Sequence, residues 1–474
     1  MRRTTAERLA ALLGPTPLTY PRYADLANRL RLLIIDGRLT HDTRLPGERD
    51  LAAALGSSRV TVASAYQRLR DEGHLVSRRG AGHDVVLPDA PIERALPDPF
   101  PRDGGVIGLS TAATAPPPQL ASLLTGLTER LSALGQTSGY HPDGLPELRA
   151  RLADSYTRRG LPTEPEQMII TNGALSALHL ITRHLAHGRD RILLEETSYS
   201  NAIEGLRRQG FRPYGFALSD TGWDLDALRA GLADAATVTY VIADFHNPTG
   251  RMVGSAERAA LGAVTRRSRT RLVIDETMLE VNLDGIAVPE PVACHDPTAI
   301  TIGSASKSFW GGLRIGWIRA PRDLVRGLVE TRSLLDLSSP ILDQLLVSDM
   351  VGDPTAVLDH QRRVHRHRRD HLVRLLTERL PTWEFEVPPG GLSLWVTLPR
   401  PASGQLVVAA ERRGVVLTAG PRFHTESGGD RHLRLPYVAE PETLTRAIDV
   451  LADVWPTVDT EISAQRTPRS RLSA

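Results

Sequence analysis

The sequence predicts two unequal parts: a small helical head finished by a β-hairpin, and a large α/β body on a parallel sheet, with a smaller α+β C-terminal subdomain. Three observations carry this reading. Positive charge is concentrated at the front, where residues 1–88 hold 14 Arg against 9 Asp+Glu in a chain of net charge +2. A proline-dense stretch, DAPIERALPDPFPRDGG at 89–105, breaks every helical and alternating pattern and reads as a semi-extended linker. After it, short β-branched runs alternate with helical stretches, the pattern of parallel strands joined by helices and buried on both faces.

Taken in order, the head begins with YADLANRLRLLIIDGRL, where Leu26, Leu30, Leu33 and Ile34 share one helical face. TRLPGERDLAAALG is a second helix and SSRVTVASAYQRLRDEG a third, with Ser57 or Ser58 as its N-cap. HLVSRRGAGHDVVLP then gives two short strands around a turn at 80–82. Three helices followed by an arginine-tipped hairpin make a winged helix-turn-helix for double-stranded DNA. Its third helix would enter the major groove by its N-terminal residues, which sets Ser58, Arg59 and Thr61 near base edges. Arg44 and Arg49, read as the start of the second helix, would meet phosphates or a base, and Arg78 and Arg79 stand on the wing.

In the body, the expected strands include QMIIT, RILLEE, VTYVIADF, RLVIDE and AITIG, and the smaller subdomain starts near residue 355 with SLWVTL, GVVLTAG and HLRLPYV among its strands. The division is therefore a DNA-binding head at 1–88, a linker at 89–105, a body at 106–458 and a disordered tail at 459–474. With 41% hydrophobic and 24% charged residues the composition is that of a globular protein. No apolar run approaches the ~18 residues of a membrane span, so a cytoplasmic location with no membrane partner is expected. The lone Cys294 excludes an internal disulfide framework. HQRRVHRHRRDH, at 360–371, sets His367 and His371 on one helical face, yet no carboxylate or cysteine completes a set, so a solvated basic helix and no metal is expected.

Of the 57 Lys+Arg residues only Lys307 is a lysine. Where arginine has replaced every bare positive charge, the retained lysine marks a task that a guanidinium cannot do, condensation of a neutral amine with an aldehyde. Lys307 is thus a Schiff-base candidate, and other segments suit the same cofactor, pyridoxal phosphate. Arg314 in GLRIGW can grip a phosphate as a bidentate fork, with the Ser304 hydroxyl added. TNGALSAL opens a helix, so amides near Gly173, Ala174 and Leu175 can face that phosphate. Asp275, ending RLVID, suits the pyridinium nitrogen, Asn247 in HNPTG the ring hydroxyl, and Tyr199 in ETSYSNA the ring face.

LPGERDLA, SSRVTVASAYQRL and EGHLVSRRGAGHDV resemble the GntR family of bacterial transcription regulators, a resemblance that singles out Arg49, Arg59 and Thr61 for specificity. SASKSFWGGLRIGW and HNPTG resemble fold-type I aminotransferases over roughly residues 105–455. From that second resemblance come two further roles: Arg434 in HLRLPYV for a substrate or effector carboxylate, and Tyr140 in SGYHPDGLPELR for the phosphate in a partner subunit, which implies a homodimer. Head, linker and body together resemble the MocR subfamily of regulators. The resemblance implies that pyridoxal phosphate, or its adduct with an amino compound, modulates operator binding; such regulators commonly control vitamin B6, amino-acid, GABA or taurine genes. The chain departs from the aminotransferase pattern at Met278, where a tyrosine commonly touches the ring hydroxyl, and at Leu175 and Ser176, where the phosphate loop often carries glutamine. The alternative is a working aminotransferase with an accessory DNA-binding head.

Overall fold

The computed structural model describes residues 2–466 apart from 15–16, 19, 36–37, 40–42, 72–73, 79–81, 87–104, 135–137, 220–221 and 235. In the head, the helix Arg22–Ile35 buries Leu26, Leu30, Leu33 and Ile34, the face expected from their spacing. It packs on the helix Arg59–Asp71 through Val62, Ala65, Tyr66 and Leu69. Ser58 supplies the cap, its Oγ accepting from the Thr61 amide at 3.0 Å. The strands Leu75–Arg78 and Gly82–Val85 form the wing.

Two features of the head depart from expectation. A further helix, Ala6–Leu13, buries Leu9 and packs beside the helix Glu48–Ala54, while Arg2–Arg3 pairs in parallel with Thr43–Arg44. Arg44 accordingly lies in a strand before the second helix, and its guanidinium bridges to Asp84 of the wing at 2.9 Å. It braces the wing sheet, and its expected place at the start of the second helix is corrected to a strand before it. Most of the proposed linker and Arg79 fall outside the described residues, as does the side chain of Arg78.

The body holds a seven-stranded sheet in the order Met168–Thr171, Gly316–Arg319, Ile300–Ser304, Arg271–Asp275, Val238–Ile242, Arg191–Glu195, Arg212–Phe216. Only Gly316–Arg319 runs antiparallel to its neighbours. Near-continuous burial along these strands follows from helices on both faces. Arg212–Phe216 and Gly316–Arg319 are not among the expected strands. The first contains a proline and lies at the sheet edge, where a missing N–H is tolerated; the second has glycine and arginine at its ends.

A second sheet, Glu384–Phe385, Ser393–Thr397, His432–Pro436, Val415–Ala419, Ile107–Leu109, forms the smaller subdomain. Its last strand comes from the start of the body, so this subdomain is not purely C-terminal in sequence. The helix Pro441–Arg466 continues through residues 459–466 of the expected disordered tail, and residues 467–474 lie outside the described residues. The helix Thr355–Arg379 is not a solvated basic surface either: His365, Arg368 and Arg369 are buried, Arg369 grips Asp284 at 2.7 and 2.9 Å, and His371 bonds Thr445 at 2.9 Å. Among the described residues no helix is long and apolar enough to cross a membrane.

One ion pair anchors the loop that carries Asn247. Arg258, on the helix Ser255–Thr265, donates to Asp244 at 2.6 Å with both side chains wholly buried, and its Nε holds the Val253 carbonyl at 2.8 Å. Removing one partner strands the other charge away from water. Asp244→Ala is expected to lower the unfolding free energy by about 3–5 kcal/mol in urea denaturation, with Asp244→Leu/Arg258→Met together costing less than the single change.

Candidate functional site

The sheet brings the chemical residues to one edge. Gly173, Tyr199, Asn247, Asp275 and Lys307 each follow the carboxyl end of a parallel strand, and Arg314 precedes the one strand that runs the opposite way. All six therefore meet at the edge where open α/β sheets hold ligands.

Lys307 sits in the single helical turn Ala305–Ser308, its Nζ donating to the Ala112 carbonyl. Burial, and after it the positive charges of Arg434 and Arg314, pull its ammonium down to about 8, with Asp275 acting in the opposite sense. Asp275 is buried; it accepts from the Tyr240 hydroxyl at 2.6 Å and the Thr277 amide at 2.8 Å, and burial raises its pKa. A cation beside it would offset that desolvation. Arg434 is buried too, donating to Asn247 Oδ1 at 3.3 Å and to the Ser110 carbonyl, with its Nε unpartnered and its guanidinium 4.9 Å from the Phe423 ring centroid. Burial pulls it down to about 10. The phenol of Tyr199 is raised chiefly by burial, with Arg434, Asp275 and Arg314 also acting on it; Asn201 donates to its oxygen at 3.1 Å.

The phosphate end is set by two glycines. Gly173 caps the helix Ala174–Leu185 at φ +93°, and a Cβ there would lie 2.9 Å from Arg314 Nη2. A Cβ on Gly316 would press to 2.5 Å from the Gly173 carbonyl carbon. Lacking both, the loop lets Arg314 reach the Asn172 carbonyl at 3.3 Å beside the first amides of that helix. A cavity of about 260 Å³, lined by Asn172, Leu175, Ser176 and Arg314 among others, opens there.

The donor set and the orphaned Arg434 Nε fit pyridoxal phosphate: cationic fork and helix amides for a dianion, a buried carboxylate for a ring nitrogen, a neutralisable amine for an aldehyde. The Ser304 hydroxyl accepts from the Ser306 amide at 3.2 Å and donates to the Ile315 carbonyl at 3.3 Å, so it closes the lysine turn. Ser306 is the hydroxyl near Arg314, at 3.5 Å. Tyr140 is 63% exposed on the single chain.

Three contributors escaped the sequence reading. The segment 110–114 reaches Lys307 through the Ala112 carbonyl and Arg434 through that of Ser110, and Thr114 binds the Ser306 carbonyl at 3.3 Å. Carbonyls carry no residue signature, so only the strand Ile107–Leu109 preceding them hinted at it. Tyr240 was hidden inside an apolar run, and Ser306 was adjacent to the lysine but unassigned. Met278 packs in the subdomain core, so no hydroxyl stands at that position.

On the head, Arg49, Ser58 and Arg59 are exposed, with Thr61 half-buried beside them. Arg59 leans on Glu48 at 3.3 Å, and Ser58 and Thr61 share a 2.8 Å hydrogen bond. These four stand together at the start of the helix Arg59–Asp71 and on the helix before it.

Residues 120–451 match the family model for aminotransferase class I and II, and residues 22–85 match that for bacterial regulatory proteins, gntR family. The chain is 27% identical over 463 residues to the HTH-type pyridoxine biosynthesis transcriptional regulator PdxR of Corynebacterium glutamicum, covering 94% of this chain and 97% of that one. It is 26% identical over 474 residues to the probable rhizopine catabolism regulatory protein MocR of Rhizobium meliloti, covering 92% and 94%. The body superposes with TM-score 0.67 and 27% identity on LysN, the alpha-aminoadipate aminotransferase of Thermus thermophilus complexed with N-(5'-phosphopyridoxyl)-L-leucine, covering 76% of this chain and 94% of that structure.

The single lysine makes its ionisation directly measurable. Reductive ¹³C-methylation labels Lys307 and the N-terminal amine alone, and Lys307→Ala assigns the two signals. The Lys307 resonance is expected to titrate near pH 8, charged below and neutral above, whereas the ordinary lysine value is 10.5.

Proposed function

The chain belongs to the aminotransferase class I and II family and carries a GntR-family head in front of it, and from that premise we propose a bacterial transcription regulator in which the cofactor site of the body governs operator binding by the head. The observation that carries this reading is that an intact lysine site and an exposed recognition helix share one chain, with a loop of the body running from the site to Arg38 of the head. Pyridoxal phosphate, when bound, supplies an aldehyde that captures primary amines.

The protein's own residues divide the work of holding it. Lys307 offers a neutral amine once the pH exceeds about 8, and in smaller fraction below. Arg314 with the amides of Gly173, Ala174 and Leu175 would hold the phosphate; Asp275 would hold the ring nitrogen, Asn247 the ring hydroxyl, and Tyr199 would cover the ring. Arg434 suits the carboxylate of an amino-acid effector, since its guanidinium is already desolvated and one of its N–H groups lacks a partner. Tyr140, exposed here, would serve the phosphate of the partner in a homodimer. The setting is the cytoplasm, where DNA and the cofactor are both available.

The loop 420–430 supports a route from site to head. Its Phe423 lies against Arg434, the Phe423 carbonyl accepts from the Ser198 amide at 2.8 Å next to Tyr199, and His424 bonds Thr197 at 3.2 Å. At its far end Asp430 holds Arg38 of the head at 2.9 Å. A ligand that draws Arg434 toward the lysine shifts this loop and with it the head, in the sense of differential binding to two states.

Intact Lys307, Asp275 and Arg434 also favour a second reading, transamination by the body; the absence of a hydroxyl at Met278 favours sensing. Turnover of an amino donor and keto acceptor, unaffected by DNA, would sustain the enzyme reading. For the regulator, binding to the DNA upstream of its own gene by anisotropy at fixed salt is expected to change with pyridoxal phosphate, and Lys307→Ala to abolish that change. Arg59→Ala is expected to weaken binding by about 1–3 kcal/mol. Asp430→Asn should retain cofactor capture and DNA binding while losing the response of one to the other.

A further inference from the structure

A cleft of about 840 Å³ separates the head from the body, and its walls come from both. The head contributes Arg3, Arg8 and Arg38, and the body Arg207, Arg212 and Arg422. Against these six cations the lining holds two carboxylates, Glu204 and Glu426, and Glu204 is engaged by Arg208 at 2.8 Å. Arg38 is held by Asp430, and Arg207 donates to the Thr425 carbonyl. Arg3, Arg8, Arg212 and Arg422 are exposed to the cleft's solvent. Like charges facing one another across a concave gap raise a positive potential there and concentrate anions.

We propose that this cleft is a second ligand site, for a compact polyphosphate anion that bridges the head and the body. The charge excess calls for a ligand with several negative charges, and guanidinium forks match phosphate oxygens two at a time. The volume lies within the range of small-molecule sites, about 300–1,000 Å³. Ser200, in the first turn of the helix Ser200–Arg208, also lines the cleft, and this helix begins directly after Tyr199. Tyr199 of the lysine site and Ser200 of the cleft are thus adjacent in the chain, and an anion that ties Arg8 to Arg422 would stabilise the docked head. This site is distinct from the lysine pocket and does not depend on amine sensing.

The test is calorimetric titration of the full-length chain, previously loaded with pyridoxal phosphate, with inorganic triphosphate and separately with ATP. Saturable binding at one site per chain is expected, weakened at least tenfold by Arg8→Ala or Arg422→Ala and unchanged by Arg326→Ala, an exposed arginine outside the cleft. Equal affinity for the two probes identifies the polyphosphate group as the ligand, and tighter ATP binding identifies a nucleotide. Absent saturable binding, equal weakening by Arg326→Ala, or a loss in Arg8→Ala confined to DNA affinity would overturn the proposal. Because heat of anion binding is read without DNA or amines, its failure is separable from failure of the regulator reading.

Discussion

Everything chemical in this protein depends on one constraint: a parallel sheet buried on both faces can expose its functional residues only at its ends. Five strands end in residues that face the same space, and one antiparallel strand returns Arg314 to it. Glycine at 173 and 316 lets the phosphate loop lie against that returning strand with no side chain between. The same enclosure that removes water from Lys307 lowers its basicity, so the geometry that gathers the residues also readies the amine.

Much of this was legible because each chemical residue sits at a strand end, and strand ends are visible as the close of an apolar run. Asp275 after RLVI and the glycine before ALSAL are examples. Lys307 was legible for a different reason, the chain's near-total preference for arginine. What was not legible came from groups without a residue signature or from partners distant in sequence. The Ala112 carbonyl belongs to a segment nearly 200 positions before the lysine, and Tyr240 looks like core until its hydroxyl is found on Asp275. The capping role of Ser304 was likewise hidden, since its place near the lysine does not show that its hydroxyl accepts from the Ser306 amide.

The head repeats this lesson with charges. Arg44 and Arg49 are equivalent in sequence terms, yet one lies in a strand locked to Asp84 and the other on an exposed helical turn. Likewise the arginine-rich helix at 355–379 reads as solvated, while two of its guanidinium groups are buried against carboxylates and carbonyls. Arginine count alone marks neither a nucleic-acid surface nor a sensor; the partner of each guanidinium decides.

In the proposed regulator, residues 420–430 couple the lysine site to the head. The most direct test of this coupling is energy transfer between a dye on Cys294, the chain's one cysteine, and a second on Arg22→Cys at the start of the head's helix. Adding pyridoxal phosphate is expected to change the transfer efficiency, and the change is expected to vanish in a Lys307→Ala background. Identical efficiency with and without cofactor, in a protein whose absorbance shows the cofactor bound, would contradict the coupling.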